Sequence, residues 1–561
     1  MFEKPLLQDN IWDNFLHFNY TYFTTRAWPM CLGIVLAVLI VCLFFLRNCL
    51  RNKQLYTGVF AGEIFKFNKK SLSDWLGLLA VAIVIIFTEV YMYTGENSLF
   101  ENYDLMAINT TRSMRFGLVA SFDYIRVIPL ASWYLSTLYA ITQNILAIKF
   151  FVVLQIIFMA WSLYVFFNYI PVAKRLVMIA ILLFMPTVLQ TSNIIFPERD
   201  MVIVLMLGLI FARKYCVSHK LIWAALFIFF VNVAFYTKET CITFYFGILL
   251  TSIFYNIIKG RIVMASFVRP WRIIMEMPLE FLIGVSLFCY TVIYELLQGE
   301  ENFYISANNQ SIWQQLVNYR MELTVLGAAM GIAIYRMIKN FNISTNPLFR
   351  SGLLIGAFCS AALIVVILKL SPSTPHLAGK SYYMLVSTIF ALAYLFEYIS
   401  CQWILRGLSV LLVVYSAYMN MMYYRQSKGE YYRQVAEFLA EHTIKNRPNM
   451  LFVMEGPYAT KSLWQWIVET WSTAYRYYFN DRVFVIKSDV HYLDRSVANK
   501  INLYNHIPEI YFPMVPAPLP IKGDWLVINK NNQTAKAVNL RKDYKDNLVY
   551  ENALFEVYAP K

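Results

Sequence analysis

Residues 221–258 read LIWAALFIFFVNVAFYTKETCITFYFGILLTSIFYNII. Each apolar run is long enough to cross most of a hydrocarbon core of about 30 Å as a helix. Between the runs stand only Thr237, Lys238, Glu239 and Thr240. A connection that short joins antiparallel neighbours. The stretch therefore reads as a hairpin of two membrane-spanning helices with a Lys-Glu pair at its bend.

Runs of the same kind, roughly 17–22 residues long, recur outward from this hairpin, from Trp28 to Met422. The pattern predicts about twelve spans. They fall near 29–46, 75–93, 146–169, 176–190, 200–213, 221–236, 242–258, 276–297, 323–336, 351–369, 381–397 and 404–422. Composition agrees: of 561 residues, 59% are hydrophobic and only 15% charged, with a mean hydropathy of +0.50. Soluble chains carry about a quarter charged residues. After Arg425 the apolar runs stop and charges of both signs return. The expected fold class is thus an α-helical multi-pass membrane protein over residues 1–425, followed by a soluble α/β domain over 426–561.

The net charge of +14 would suggest nucleic acid in a soluble chain. Here the excess lies in short loops between spans, where it sets topology, and nucleic acid is set aside as a partner. Arg47, Arg51, Lys53, Lys66, Lys69 and Lys70 follow the first span. Alternate loops then hold Lys174 and Arg175; Arg213, Lys214 and Lys220; Lys259, Arg261, Arg269 and Arg272; Arg336, Lys339 and Arg350. The intervening loops are poorer in Lys and Arg, so the basic set is expected to be cytoplasmic and both termini extracytoplasmic. No cleavable leader is expected, because the first apolar run begins late. All eight cysteines lie in or beside apolar segments without metal-ligand spacing, which predicts neither a disulfide framework nor a zinc site.

On this topology the unusual polar clusters all fall on the outer side. They are Glu101 with Asp104, Pro197-Glu198-Arg199-Asp200, Lys238-Glu239, and His376 with Lys380. A transporter or flippase needs ionisable groups near mid-membrane on broken helices. The span interiors here hold almost none, Asn232 being an exception. Chemistry gathered at one interface favours a reaction there over passage through the membrane.

Each cluster has a structural and a chemical reading. Asp104 opens a long first outer loop, about 94–145, and either caps an interfacial helix or serves as a base with its pKa raised beside apolar surface. Glu198 and Asp200 follow Pro197 as helix-start residues do, whereas Arg199 between two carboxylates is not explained by capping. Lys238-Glu239 is either an ion pair at the water boundary or an ammonium able to hold a phosphate. Lys380 and Tyr382 suit interface anchoring and equally suit a cation site.

The order Asp104, Ala107, Gly117, Arg126, Pro129, Leu130 in the first outer loop resembles the GT-C superfamily of polyprenyl-phosphate-sugar glycosyltransferases, which includes protein O-mannosyltransferases and lipid A aminoarabinose transferases. Acidic residues at 198–200, the Lys238-Glu239 hairpin, and Lys380 with Tyr382 in place of the family's Arg-Tyr are similar to its later motifs. The chain departs from the family in having Leu105 where a second acid usually stands, and in carrying an extra N-terminal span. The resemblance implies inverting transfer of a sugar from a polyprenyl phosphate to a glycan, lipid or protein acceptor on the outer face of the inner membrane. It implies Asp104 as the catalytic base, and Lys380, Lys238, Arg199 and His376 as holders of the donor phosphate. Glu101, Arg126, Glu198, Asp200, Glu239 and Tyr382 would support them. Because the leaving group is already a stable anion, charge stabilisation matters more than a general acid. No cofactor is assigned; a lone Asp104 does not support a tight Mg or Mn site. An O-antigen-type polymerase or ligase is the alternative, and it favours a large Arg-rich outer loop between late spans.

In the tail, apolar β-rich runs predict strands at 450–454, 482–487, 524–529 and 553–558, with helices at 431–445 and 464–478. Strand–helix alternation implies a mainly parallel sheet, and Pro513, Pro516, Pro518 and Pro520 a stiff connector. No Gly-rich phosphate loop follows a strand, so nucleotide binding is not expected.

Overall fold

The structure, a computed structural model, describes residues 16, 28–47, 58–60, 72, 75–79, 81–83, 130, 137–138, 141, 145–189, 191, 197–238, 240–258, 276–297, 319–339, 345–370, 381–426, 429–443, 448–454, 483–488, 514–516 and 519–561. In lipid, each spanning segment must satisfy its own backbone groups, and the apolar runs do so as helices. In chain order these are α1 (Trp28–Phe45), α2 (Ile145–Phe166), α3 (Val172–Phe184), α4 (Pro186–Leu189), α5 (Glu198–Ser218), α6 (Leu221–Thr237) and α7 (Thr240–Ile258). Then follow α8 (Pro278–Leu297), α9 (Arg320–Lys339), α10 (Thr345–Leu370), a 3₁₀ turn (Ser381–Met384), α11 (Leu385–Tyr398) and α12 (Gln402–Gln426). Residues 75–79 and 81–83 are helical too. Among the described residues, α5, α7 and the Gln402–Met419 part of α12 are long and apolar enough to cross a membrane, and six further apolar helical stretches are shorter. Phe150, Phe229, Phe254, Phe288, Trp403 and Val414 stand exposed on the bundle, a surface suited to lipid tails.

Two helices depart from the expected spans for identifiable reasons. The span expected at 176–190 is broken after Phe184, because Pro186 has no N–H to continue the ladder and its ring clashes with the preceding turn. Helix α5 runs past its expected end at 213 to Ser218, where His219 adopts a left-handed φ of 52° and its N–H bonds the Tyr215 carbonyl at 2.7 Å. Arg213, expected in a loop, is consequently buried inside the helix. Its Nη1 donates to the Phe166 carbonyl, and its guanidinium lies over the rings of Phe166, Tyr169 and Phe349.

Successive helices run in alternate directions, so their connections collect at two ends. At one end, Lys174 Nζ donates to the Ile399 carbonyl at 2.8 Å, Arg175 covers Tyr164 at 3.8 Å, Arg336 covers Tyr398 at 3.6 Å, and Arg350 pairs with Glu397. The buried turn Gly58-Val59-Phe60 is inserted at this same end. Val59 N donates to Ser252 Oγ at 2.9 Å and to Glu280 Oε1 at 2.7 Å, and Cys216 Sγ donates to the Phe60 carbonyl. A Cβ on residue 58 would run into the Glu280 carboxylate, which is why a glycine stands there.

The opposite end gathers the starts of α5, α7, α9 and α11 with the end of α6. Arg320, the first residue of α9, donates through Nε to Tyr415 Oη at 2.8 Å. The second half of α12 therefore reaches this end before the chain passes to α13 (Gly429–His442).

Beyond α13 lie β1 (Pro448–Met454), β2 (Val483–Ser488), β3 (Met514–Pro516), β4 (Trp525–Asn529), α14 (Ala535–Asp543), β5 (Leu548–Glu551) and β6 (Phe555–Tyr558). Among the described residues they form one six-stranded sheet of order β3-β2-β1-β4-β6-β5. The pairs β3–β2, β2–β1 and β1–β4 are parallel, and β4–β6 and β6–β5 are antiparallel. The expected proline connector thus contributes a strand, with Pro516 on the edge, where a missing N–H is tolerated. Central β1 is apolar without alternation, as a strand covered on both faces is. Phe452, Met454, Leu526, Ile528, Ala537 and Leu540 pack together on one side of the sheet. Helix α13 also packs on it, Phe438 stacking on Tyr550 at 4.6 Å. Thr534 caps α14 by accepting from Ala537 N. The helix expected at 464–478 lies outside the described residues.

Candidate functional site

The end where α5 begins and α6 finishes holds a buried pair of opposite charges. Glu198 is the first residue of α5, where a carboxylate meets the positive end of the helix dipole. Lys238 follows the last residue of α6, where an ammonium meets the negative end. Lys238 N still bonds the Ala234 carbonyl at 2.9 Å, but its backbone is extended at φ −159°, and the chain turns straight into α7. Because α5 and α6 pack against each other, the two side chains meet: Lys238 Nζ lies 2.9 Å from Glu198 Oε1, with 5% and 1% of the side chains exposed. Two charges withdrawn from water this far are tolerable only because they face each other.

Two more segments close on this pair. The Lys238 ammonium lies 5.3 Å from the centroid of the Tyr383 ring, carried by the 3₁₀ turn that opens α11. The geometry is that of a cation–π contact. The backbone N–H of Leu130 donates to the Tyr236 carbonyl at 3.0 Å, tying this point of the first loop to the last turn of α6. Segments far apart in sequence, at 130, 198, 238 and 381–384, therefore meet at one end of the bundle.

Arg199 points elsewhere. It is fully buried, its Nε donates to Gln155 Oε1 at 3.0 Å, and its Nη1 donates to the Thr191 carbonyl. Asp200 Oδ1 is 3.8 Å from Nε. Thr191 in turn donates through Oγ1 to the Val188 carbonyl at 2.6 Å, at the end of α4. Arg199 thus fastens α4, broken away by Pro186, and the middle of α2 to the start of α5. It holds up the floor on which Glu198 stands, which is a different part from the phosphate contact expected of it.

Of the other expected site residues, Asp104, Glu101, Arg126, Glu239, His376 and Lys380 lie outside the described residues. Tyr382 belongs to the 3₁₀ turn, with its side chain outside them. Among the described residues no group of three or more His, Cys, Asp or Glu is arranged to hold a metal ion. Sequence reading missed Gln155, a mid-span polar residue whose need for a partner was the available signal, and Tyr383, which stood beside the chosen Tyr382. It also missed Tyr319, at the head of α9.

Chemically, the pair is suited to exchange. An ammonium pinned by a carboxylate and an aromatic face, and excluded from water, can pass to an incoming anion such as a phosphate oxygen, where a charge-assisted hydrogen bond is strong.

Among solved structures, the chain is similar to ArnT from Cupriavidus metallidurans. The form bound to undecaprenyl phosphate is 12% identical, with a TM-score of 0.47, over 87% of this chain and 98% of that one. The apo form is also 12% identical, with a TM-score of 0.48 and the same coverage. No protein-family model and no curated protein matches the chain.

Proposed function

We propose that this chain is a GT-C-type membrane glycosyltransferase that moves a sugar from a polyprenyl-phosphate donor to an acceptor at the outer face of the inner membrane. One observation carries the reading: the Lys238 ammonium, buried and held by Glu198, sits where the segments bearing Leu130 and Tyr383 also arrive. Those are the stretches whose residues resemble the superfamily's motifs. The donor phosphate takes the place of the Glu198 carboxylate in front of Lys238. Lys380 and His376, which precede the Ser381–Met384 turn in sequence, join Lys238 in holding the phosphate, and Glu198, Asp200 and Glu239 orient these cations before the donor arrives. Arg199 positions these groups through Gln155 and Thr191.

An acceptor hydroxyl or amine attacks the anomeric carbon from the face opposite the phosphate. Its proton passes to Asp104, assisted by Glu101 and Arg126 in the same loop. The bond from the anomeric carbon to the phosphate oxygen breaks, and the electron pair leaves with the polyprenyl phosphate, which the cations stabilise. The configuration is inverted by the single displacement.

The orientation follows from charge. Lys174, Arg175, Arg213, Arg336 and Arg350 share the end opposite Lys238, which is the cytoplasmic end by the positive-inside rule. Since α12 returns to the Lys238 end before α13, the tail stands on the same outer side as the site. Residues 1–425 then form a membrane domain of about twelve spans, and 426–561 an extracytoplasmic α/β domain that positions the acceptor or docks a partner.

The test is transfer of labelled sugar from a polyprenyl-phosphate donor by the purified full-length protein. Asp104→Asn is expected to abolish transfer while expression and melting temperature stay at wild-type values. Undiminished transfer by that variant overturns the assignment.

A further inference from the structure

Tyr319 stands immediately before α9, and its carbonyl accepts the Leu323 N–H at 2.8 Å, so the first helical turn fixes its backbone. It is among the largest fully buried side chains of the molecule. Its phenol oxygen is shut off from water and has no hydrogen-bond partner among the described residues. Helix α9 packs against α11, which follows directly on the Ser381–Met384 turn that carries Tyr383. Tyr383 is the ring over which the Lys238 ammonium lies.

A phenylalanine would fill the same space without burying an unmet hydroxyl, so packing alone does not account for a tyrosine. A buried donor left unpaired is destabilising, and each such group calls for a partner that completes it. The start of α9 adds its own unpaired backbone N–H groups and the positive end of the helix dipole, which together favour an anion. With the Lys238 ammonium over the Tyr383 ring at the head of the neighbouring helix, the missing partner is therefore a group rich in acceptor oxygens and negatively charged.

We propose that Tyr319 Oη donates a hydrogen bond to the phosphate of the polyprenyl-phosphate donor, forming with Lys238 a two-donor clamp on that group. The inference rests on the glycosyltransferase reading above, and it adds a residue from α9 to the donor site.

Binding of undecaprenyl phosphate to the full-length protein in detergent tests it, by titration and by the shift in melting temperature. Wild type is expected to bind and to be stabilised. Tyr319→Phe is expected to melt without lipid at or above the wild-type temperature, since it loses only an unmet hydroxyl. It should bind undecaprenyl phosphate about tenfold more weakly, equivalent to one lost hydrogen bond, while binding of undecaprenol, which lacks the phosphate, is unchanged. Equal phosphate affinity of wild type and Tyr319→Phe overturns the clamp and leaves the glycosyltransferase reading standing. A lowered melting temperature without lipid also overturns it, because the hydroxyl is then serving the fold. No binding by wild type overturns both.

Discussion

Lys238 at the end of α6 and Glu198 at the start of α5 form a 2.9 Å ion pair between side chains that water hardly reaches. Removing one partner leaves the other charge buried and unmatched, which costs about 3–5 kcal/mol. Replacing both with apolar residues of similar length removes that penalty. Glu198→Ala alone is therefore expected to lower the melting temperature sharply, and Glu198→Leu combined with Lys238→Met to recover most of the loss. Function separates from stability in the double variant: it should fold and yet fail to transfer sugar, having lost the cation. Full transfer by a folded double variant shows that Lys238 holds no phosphate.

How much of this was legible beforehand varies by the range of the interaction. The apolar runs that became α5, α6 and α7 were readable because bilayer thickness dictates their length. The runs 450–454, 482–487 and 524–529 were readable because β-branched and aromatic residues cluster in strands. Lys238 was recognised as unusual, but its neighbour Glu239 was the visible partner in sequence, and Glu198 becomes a partner only through the packing of α5 on α6. Arg199 was read as facing the membrane surface between Glu198 and Asp200. Its real acceptors, Gln155 Oε1 and the Thr191 carbonyl, depend on the break at Pro186. Helix α14 went unseen because Ala535–Asp543 is polar and shows little periodicity. Strand β3 was hidden among prolines that an edge position tolerates. The buried turn at Val59 gave no local signal, since its partners Ser252 and Glu280 lie on other helices.

Helices α7 and α10 approach so closely that a Cβ on Gly247 would stand 2.7 Å from the Cα of Gly356, and one on Gly356 would stand 2.6 Å from the Phe244 carbonyl oxygen. Small residues at such crossings let backbones touch where no hydrophobic force drives helices together. Backbone atoms, unlike flexible side-chain ends, cannot step aside. Gly356→Ala and Gly247→Ala are each expected to destabilise by about 1–3 kcal/mol, as overpacking does. Gly327→Ala, on α9 with open space around it, is the control and should be neutral or slightly stabilising, because alanine favours helix. Melting curves of the three variants check this, and equal values for all three contradict the close crossing.

The last prediction concerns alkaline pH and the tail. Burial raises the Tyr558 phenol above the usual tyrosine value, and the nearby Glu556 carboxylate adds to the shift. Tyr558 Oη donates to Glu556 Oε2 at 3.1 Å, and Glu556 in turn receives Arg541 Nε at 2.6 Å. A raised pKa in the folded state means that the unfolded chain gives up its proton first as pH rises. The contribution is complete below the ordinary phenol value of about 10 and is lost progressively as pH climbs through it toward the folded value. Wild type should therefore lose stability above that pH more steeply than Tyr558→Phe, with the two curves parallel near neutrality. Subtracting them isolates one phenol from the 40 tyrosines of the chain. The measurement is the melting temperature of the full-length protein between pH 8 and pH 11, on a scale set by the phenol value. A difference that stays constant across that range shows that Tyr558 keeps its ordinary titration, and that burial beside Glu556 does not govern the alkaline limit of the tail.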